Sequence, residues 1–160
     1  MEKFMNRLRN ANSSIDAIDV AIIKALVGNA RIPTAELART VGLSAPSTAE
    51  RVKRLEDVGV ICGYHAEINP AALGLPLAVN IRIRPMPGQL QKLATLMFKL
   101  PEIVECHRVT GDDCYVAVAH VASVSAMEKL IDKIIPLGTT NTSIIQSSPV
   151  PRRMPEIAIR

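Results

Sequence analysis

Aromatic side chains are scarce in this sequence, whose 160 residues include two Phe, two Tyr and no Trp. Proteins that bind single-stranded nucleic acid usually stack the bases on aromatic side chains, so the composition argues against that class. Duplex DNA that is read through its major groove makes no such demand. Binding to a duplex therefore stays open.

Paired cysteines and long apolar runs are lacking as well. Cys62, Cys106 and Cys114 are odd in number and show no paired spacing, which fits a reducing compartment without a disulfide framework. The N-terminus carries Glu2 and Lys3 but no apolar signal-peptide core. No apolar run approaches the ~20 residues that cross a bilayer. We expect a cytoplasmic protein without a membrane partner.

Motifs for metal binding or catalysis are also missing. No Cys-x-x-Cys or His-Glu-x-x-His spacing occurs, and Cys106 and His107 would point to opposite faces of a predicted strand. We expect no metal, no cofactor and no enzymatic activity. Cys114 as a redox sensor is a second interpretation, although a half-buried strand thiol is more often inert.

Positive charge is concentrated in one stretch. Residues 31–54 hold five Lys or Arg side chains against two Glu, within a chain of net charge +4. Such a local excess is typical of a surface that contacts DNA phosphates. A solvated helix face explains the charge alone equally well.

Three helices are predicted in the first third of the chain. Apolar side chains recur at helical spacing after Asp16, which predicts a first helix capped by that residue and ended by Gly28. A second helix is predicted from Pro33 to Gly42. A third is predicted to follow Ser44 as its N-cap and to run to about residue 58.

The second and third helices, joined through Gly42-Leu43-Ser44, match a helix-turn-helix, in which the second helix enters the major groove. An ordinary three-helix bundle is the alternative. We expect the start of the third helix, with Ser47, to contact base edges, and Arg51 and Arg54 to contact phosphates. The residues expected at DNA are Arg31, Ser44, Ala45, Pro46, Ser47, Thr48, Glu50, Arg51, Lys53 and Arg54.

The rest of the chain reads as strand, helix, strand, strand, helix, strand. The predicted elements are strand 77–84, helix 90–100, strands 103–109 and 115–121 around a hairpin loop, helix 124–134 and strand 139–146. This order is the ferredoxin-like arrangement, with one antiparallel sheet and both helices on one face. Apolar residues on both faces of the strands favour a second subunit as cover, so we expect a homodimer.

A series of short motifs in a fixed order resembles the Lrp/AsnC family, also called feast/famine regulators. The motifs include residues 15–19 (IDAID), 41–44 (VGLS), 51–56 (RVKRLE), 59–61 (GVI) and 109–112 (VTGD). Each is weak alone, but their order and spacing are specific. The resemblance implies a sequence-specific double-stranded DNA-binding transcription regulator. It also implies dimers that assemble further, and an amino acid or related metabolite as a small-molecule effector where dimers meet.

The fold class that follows is α+β, with an N-terminal winged or three-helix helix-turn-helix domain and a C-terminal ferredoxin-like βαββαβ domain. We assign residues 1–60 to DNA binding, 61–76 to a connecting strand and linker, 77–148 to effector binding and oligomerisation, and 149–160 to a tail. The resemblance implies that Ile61–Ile68 is the connecting strand.

The resemblance also places an effector site. It comprises the loop Gly111, Asp112, Asp113, Cys114 and Tyr115, together with Val124, Thr140, Thr142 and Ser143. The family loop often reads Gly-x-x-Asp-Tyr, and Cys114 stands where that Asp is expected. A neutral thiol cannot pair with an ammonium group, so a standard amino acid, another effector or none all remain open. Thr140, Thr142 and Ser143 also fit exposed strand positions.

Two further functions stay open at this point. Siroheme-decarboxylase-like enzymes of haem biosynthesis resemble the same two-domain fold, and His107 and Arg108 are weak candidates for a tetrapyrrole pocket. A stand-alone metabolite-binding module is the other alternative. The basic stretch at 31–54 favours the regulator over both.

Overall fold

The computed structural model describes residues 15–156, which form two units: the first comprises residues 15–67 and 152–156, and the second comprises Ile68–Pro151. The helices are α1 (Ala17–Gly28), α2 (Thr34–Val41), α3 (Ala45–Asp57), α4 (Leu90–Lys99) and α5 (Val124–Ile134). The strands are β1 (Leu77–Pro85), β2 (Ile103–Arg108), β3 (Tyr115–Val121) and β4 (Gly138–Ile144). Single 3-10 turns lie at Pro70–Leu73 and Ile135–Leu137.

Helix α1 begins with a reciprocal cap. The backbone N–H of Asp19 donates to Oδ1 of Asp16 at 2.8 Å, and the N–H of Asp16 donates to Oδ2 of Asp19 at 3.1 Å. Two N–H groups at the helix start are thereby satisfied by side chains from its own first turn. The helix ends at Gly28, with Asn29 as its C-cap.

The turn between α2 and α3 depends on one glycine. Gly42 has a φ of 71°, in the left-handed region that other residues enter only at a cost. Ser44 then caps α3, because its Oγ accepts the N–H of Ser47 at 3.3 Å, and Pro46 lies in the first turn. Ile22, Ile23, Leu37 and Leu55 form the buried core that these helices share. The predicted three-helix arrangement is confirmed.

The segment after α3 differs from its prediction. Residues 61–67 contain no strand, and the described part of the first unit offers no second strand that could form a ladder with them. The segment is instead tied to α3: the N–H of Ile61 donates to the carbonyl of Leu55 at 3.0 Å. The predicted connecting strand Ile61–Ile68 is therefore not formed within this chain.

The second unit is a four-stranded antiparallel sheet in the order β2-β3-β1-β4, which confirms the ferredoxin-like prediction. Helices α4 and α5 cover one face. The buried core between these helices and the sheet includes Val79, Ile81, Ile83, Leu93, Met97, Ala117, Ala119, Leu130 and Ile134. Strand β3 alternates strictly between buried and half-buried residues, as a strand with one covered face should.

The other face of the sheet is less apolar than predicted. Val116 and Val118 of β3 lie on it, but their neighbours across β1 are Arg82 and Asn80. Since paired residues share a face, β1 contributes polar side chains there rather than apolar ones.

Strand β2 contains a bulge. Ile103 pairs with Ala119 and Glu105 pairs with Val118, so Val104 is one residue more than the partner strand provides. Beyond the bulge, Glu105 shares a face with Val118, and Cys106 shares the helix-covered face with Ala117.

None of the helices within residues 15–156 combines the length and the apolar character that a membrane crossing requires.

Candidate nucleic-acid interface and effector pocket

The start of α3 presents an exposed, uncharged surface. Ser44, Ala45, Pro46 and Ser47 are all exposed. Besides capping the helix, Ser44 donates its hydroxyl hydrogen to Oγ of Ser47 at 2.9 Å. The first turn is thus fixed by its own side chains, while its outer surface stays accessible.

Thr48 departs from the expectation that it contacts DNA. It is fully buried, and its hydroxyl donates to the carbonyl oxygen of Ser44 at 2.9 Å. Thr48 lies on the inner side of α3. Buried Leu55 follows it by seven residues, about two helical turns, and therefore lies on the same face. Its side chain belongs to the packing of the helix and not to the exposed surface of α3.

Arg51 and Arg54, which the sequence analysis expects at phosphates, are paired with carboxylates of α1 and its N-cap. Nη1 of Arg51 lies 2.7 Å from Oδ2 of Asp16 and 2.9 Å from Oδ1 of Asp19. Nη2 of Arg54 donates to Oδ2 of Asp19. These four residues, here named the Asp–Arg cluster, join the first turn of α1 to the middle of α3.

The side chain of Asp19 is fully buried, and its protonation state follows from its partners. Burial raises the pKa of Asp19, but hydrogen bonds from Arg54, the Asp16 N–H and Arg51 outweigh burial and hold the pKa below its usual value. The N–H of Asp19, and then Arg51, lower the pKa of Asp16. Both carboxylates are therefore ionised at neutral pH, and the Asp–Arg cluster carries no net charge.

An open groove runs beside the cluster. It is lined by Asp16, Leu43, Ser47, Glu50, Arg51 and Arg54. The charged side chains that line the groove are partly exposed: 30% for Arg51, 38% for Arg54 and 47% for Asp16. The groove thus contains carboxylates as well as guanidinium groups.

Other basic side chains of the stretch 31–54 are more accessible. Arg31 and Lys53 are exposed, and in the described range they form no ion pair. Glu50, on the outer side of α3, is exposed too. The accessible cations of this stretch therefore include residues other than the two that the sequence singled out.

In the second unit, the predicted effector loop lies at one end of the sheet. Gly111 has a φ of 112°, and Nε of Arg84 donates to the carbonyl of Asp112 at 2.8 Å. The carboxylate of Asp113 lies 3.7 Å from Nε of Arg82. Both acidic residues of the loop are thus associated with arginines of β1.

The next two loop residues point into the unit. The N–H of Cys114 donates to the carbonyl of Ile83 at 3.1 Å, and its half-buried side chain packs against the core. Tyr115 is 7% exposed and donates its hydroxyl hydrogen to the carbonyl of Leu90 at 3.3 Å. Cys114 therefore lies at the margin of the core.

The other predicted effector residues do not all lie near the loop. Thr140 pairs with Ile83 and Thr142 with Ile81, so both share the helix-covered face. Ser143 pairs with Asn80 and points to the opposite face. Val124 follows the end of β3 that lies farthest from Tyr115. Within one chain, Thr140 lies at the same end of the sheet as the loop, and Val124 lies at the other.

The alternative tetrapyrrole residues are surface residues. Nε2 of His107 lies 2.6 Å from Oε1 of Glu105, and the His107 side chain is 63% exposed. Arg108 is exposed as well. Nowhere in residues 15–156 do three or more His, Cys, Asp or Glu side chains gather closely enough to hold a metal ion.

A three-helix unit whose third helix is capped and exposed at its start, followed by a ferredoxin-like unit, defines a helix-turn-helix regulator with a ligand-binding domain. The family described as AsnC-type helix-turn-helix domain matches residues 15–56, and the Lrp/AsnC ligand binding domain matches residues 78–155. The leucine-responsive regulatory protein of Haemophilus influenzae is 40% identical over 135 residues, covering 82% of this chain and 78% of the relative.

Solved structures of related regulators have the same fold. LrpC of Bacillus subtilis superposes with a TM-score of 0.80 at 34% identity, covering 83% of this chain and 95% of the other. The feast or famine regulatory protein of M. tuberculosis, solved with L-methionine, has a TM-score of 0.82 at 33% identity, covering 91% and 99%. This chain belongs to the Lrp/AsnC family and is a transcription regulator.

Proposed function

We propose that this regulator reads a specific duplex sequence with α3 as a homodimer and that a small metabolite, an amino acid or a relative of one, modulates it. The observation that carries the proposal is the exposed start of α3, placed by the Gly42 turn and fixed by the Ser44 cap. A helix presented in this way fits the major groove of duplex DNA.

The side chains of the first unit that bear on DNA binding have three different roles in this proposal. Ser47, with Ala45 and Pro46, is exposed at the helix start and is suited to base edges. Lys53 and Arg31 are exposed cations suited to phosphates, and Arg39 of the same stretch is exposed too. Arg51 and Arg54 hold α3 against α1 through Asp16 and Asp19, so their first role is to orient the helix.

The same proposal assigns residues 1–60 to DNA binding and residues 77–148 to assembly and sensing. Val116 and Val118 lie half-buried on the sheet face without helices, and a second copy would remove them from water. An isologous dimer would then present two copies of α3 to two half-sites.

The effector site is proposed at the loop Gly111–Tyr115, with Thr140 and Thr142. Support comes from the M. tuberculosis relative solved with L-methionine. Because Asp112 and Asp113 associate with Arg84 and Arg82, and Cys114 is uncharged, the loop offers an ammonium group less negative charge than an Asp at 114 would. We therefore expect weak selectivity for the amino group of a ligand.

The test is selection of bound duplexes from a random DNA pool, with and without a mixture of metabolites. One enriched sequence motif is expected, and a Ser47→Ala variant should enrich an altered motif while Ser123→Ala, at the cap of α5, should not. A pool that shows no enrichment, or no duplex binding at low ionic strength, would overturn the proposal.

A further inference from the structure

The Asp–Arg cluster does more than fasten two helices, because its members differ in exposure. Asp19 is fully buried, whereas Asp16 is 47% exposed and lines the groove beside Ser47 and Glu50. One nitrogen, Nη1 of Arg51, serves both carboxylates, at 2.7 Å from Asp16 and 2.9 Å from Asp19. Asp19 alone would be enough to hold Arg51 on α1.

The second carboxylate therefore needs its own explanation. Asp16 caps α1 through Oδ1, which accepts the N–H of Asp19, while Oδ2 contacts Arg51. The capping role needs an oxygen but not a negative charge, since Asn and Ser cap helices about as well as Asp. The charge of Asp16 acts instead on the guanidinium group at the edge of the groove.

We propose that Asp16 occupies Arg51 in place of a DNA phosphate and so holds the affinity for the DNA backbone below what α3 could reach. The inference rests on the proposed DNA-binding function. A phosphate oxygen that approaches Arg51 must compete with the Asp16 carboxylate for the same Nη1 and is repelled by its charge. Weaker backbone binding lowers non-specific occupancy, which leaves a larger share of selectivity to base contacts at the start of α3.

The test compares Asp16→Asn with wild type for binding to a random-sequence duplex over a range of salt concentrations. The variant should bind more tightly, and the slope of log K against log salt should steepen by about 0.9, the value for one more phosphate contact. That slope adds a roughly 3-fold affinity loss between 50 and 200 mM salt. Asp16→Ser, which also keeps a cap, should behave alike, and thermal unfolding checks that both variants remain folded.

Asp132→Asn is the matched control, because it makes the same change in net charge at an exposed position of α5. An Asp16→Asn variant that binds no more tightly than this control, with an unchanged slope, would overturn the inference. In an Arg51→Ala background the gain should vanish; a gain that persists would show that Asp16 acts through general charge and not through Arg51. Wild-type protein that bound no duplex at all would overturn the proposed function together with this inference.

Discussion

The phenol of Tyr64 donates a hydrogen bond of 2.8 Å to Oε1 of Glu56. Glu56 lies near the end of α3, and Tyr64 lies in the segment that follows, so this contact fastens that segment to α3. Burial, followed by the hydrogen bond and the charge of Glu56, raises the pKa of Tyr64 to about 12. The interaction holds only while the phenol keeps its proton.

The first prediction concerns this proton. The raised pKa means that the contact contributes to stability below the unfolded value of about 10 and that the contribution is lost as pH rises from about 10 towards about 12. Ultraviolet titration in a Tyr115→Phe background should report Tyr64 alone, since the chain has two tyrosines. Glu56→Gln should lower the observed pKa; an unchanged value would show that Glu56 does not act on the phenol.

A second prediction separates the cations of α3. Arg54→Ala removes one of the partners of buried Asp19 and should lower the free energy of unfolding by about 1–3 kcal/mol, measured by urea denaturation. Exposed Lys53→Ala should leave stability nearly unchanged and flatten the salt slope of DNA binding by ~1.

Lys92→Ala, an exposed change on α4, serves as the control for Lys53. The opposite pattern, with a stable Arg54→Ala variant and an unaltered slope for Lys53→Ala, would contradict this division of roles.

A third prediction uses two glycines. Gly42 has a φ of 71°, so Gly42→Ala should cost about 1–2 kcal/mol although no atom lies within 4 Å of the added methyl group. Gly28, the last residue of α1, has equal space and no left-handed backbone, so Gly28→Ala should stabilise by about 0.5–1 kcal/mol. Thermal unfolding of both variants decides, and equal effects would count against the backbone explanation.

A fourth prediction addresses the effector loop. Cys114→Asp places a carboxylate where the thiol now packs beside the core, so the second unit should lose about 1–3 kcal/mol of stability. The same change should create or strengthen binding of an amino acid in calorimetry, because the carboxylate can meet the ammonium group. Cys114→Asn, which has the same shape without the charge, should not. Equal binding by the two variants would refute the role of charge.

The helices and strands could be predicted from the sequence, because the residues that begin, end and orient them act on their near neighbours in the chain. Asp16, Gly42 and Ser44 act on neighbouring backbone groups, and the structure has them as caps and as a left-handed turn. The alternation in β1 and β3 likewise predicted which faces are buried. Motifs in order were specific enough to indicate the family.

Contacts between residues that are far apart in the sequence could not be predicted in the same way. Arg51 and Arg54 were expected at phosphates because a basic residue on a helix has the same local signature whether it meets DNA or a carboxylate 32 or 35 residues away. Only the packing of α1 against α3 distinguishes these cases. Segment 61–67 is a related case, since a strand forms only where a partner supplies hydrogen bonds, and no described part of this chain supplies them.

The extra residue in β2 has a consequence of its own. Side chains of a strand alternate in direction, so a regular strand that kept Val104 without the bulge would turn every later residue over. Glu105 and His107 would then point toward the apolar layer beneath α4 and α5, and Cys106 would be turned away from it. The bulge thus lets Ile103 and Cys106, three residues apart, share one face, and it keeps a carboxylate and an imidazole in water. A chain without Val104 should keep the same faces, because Glu105 would still pair with Val118 and Cys106 with Ala117.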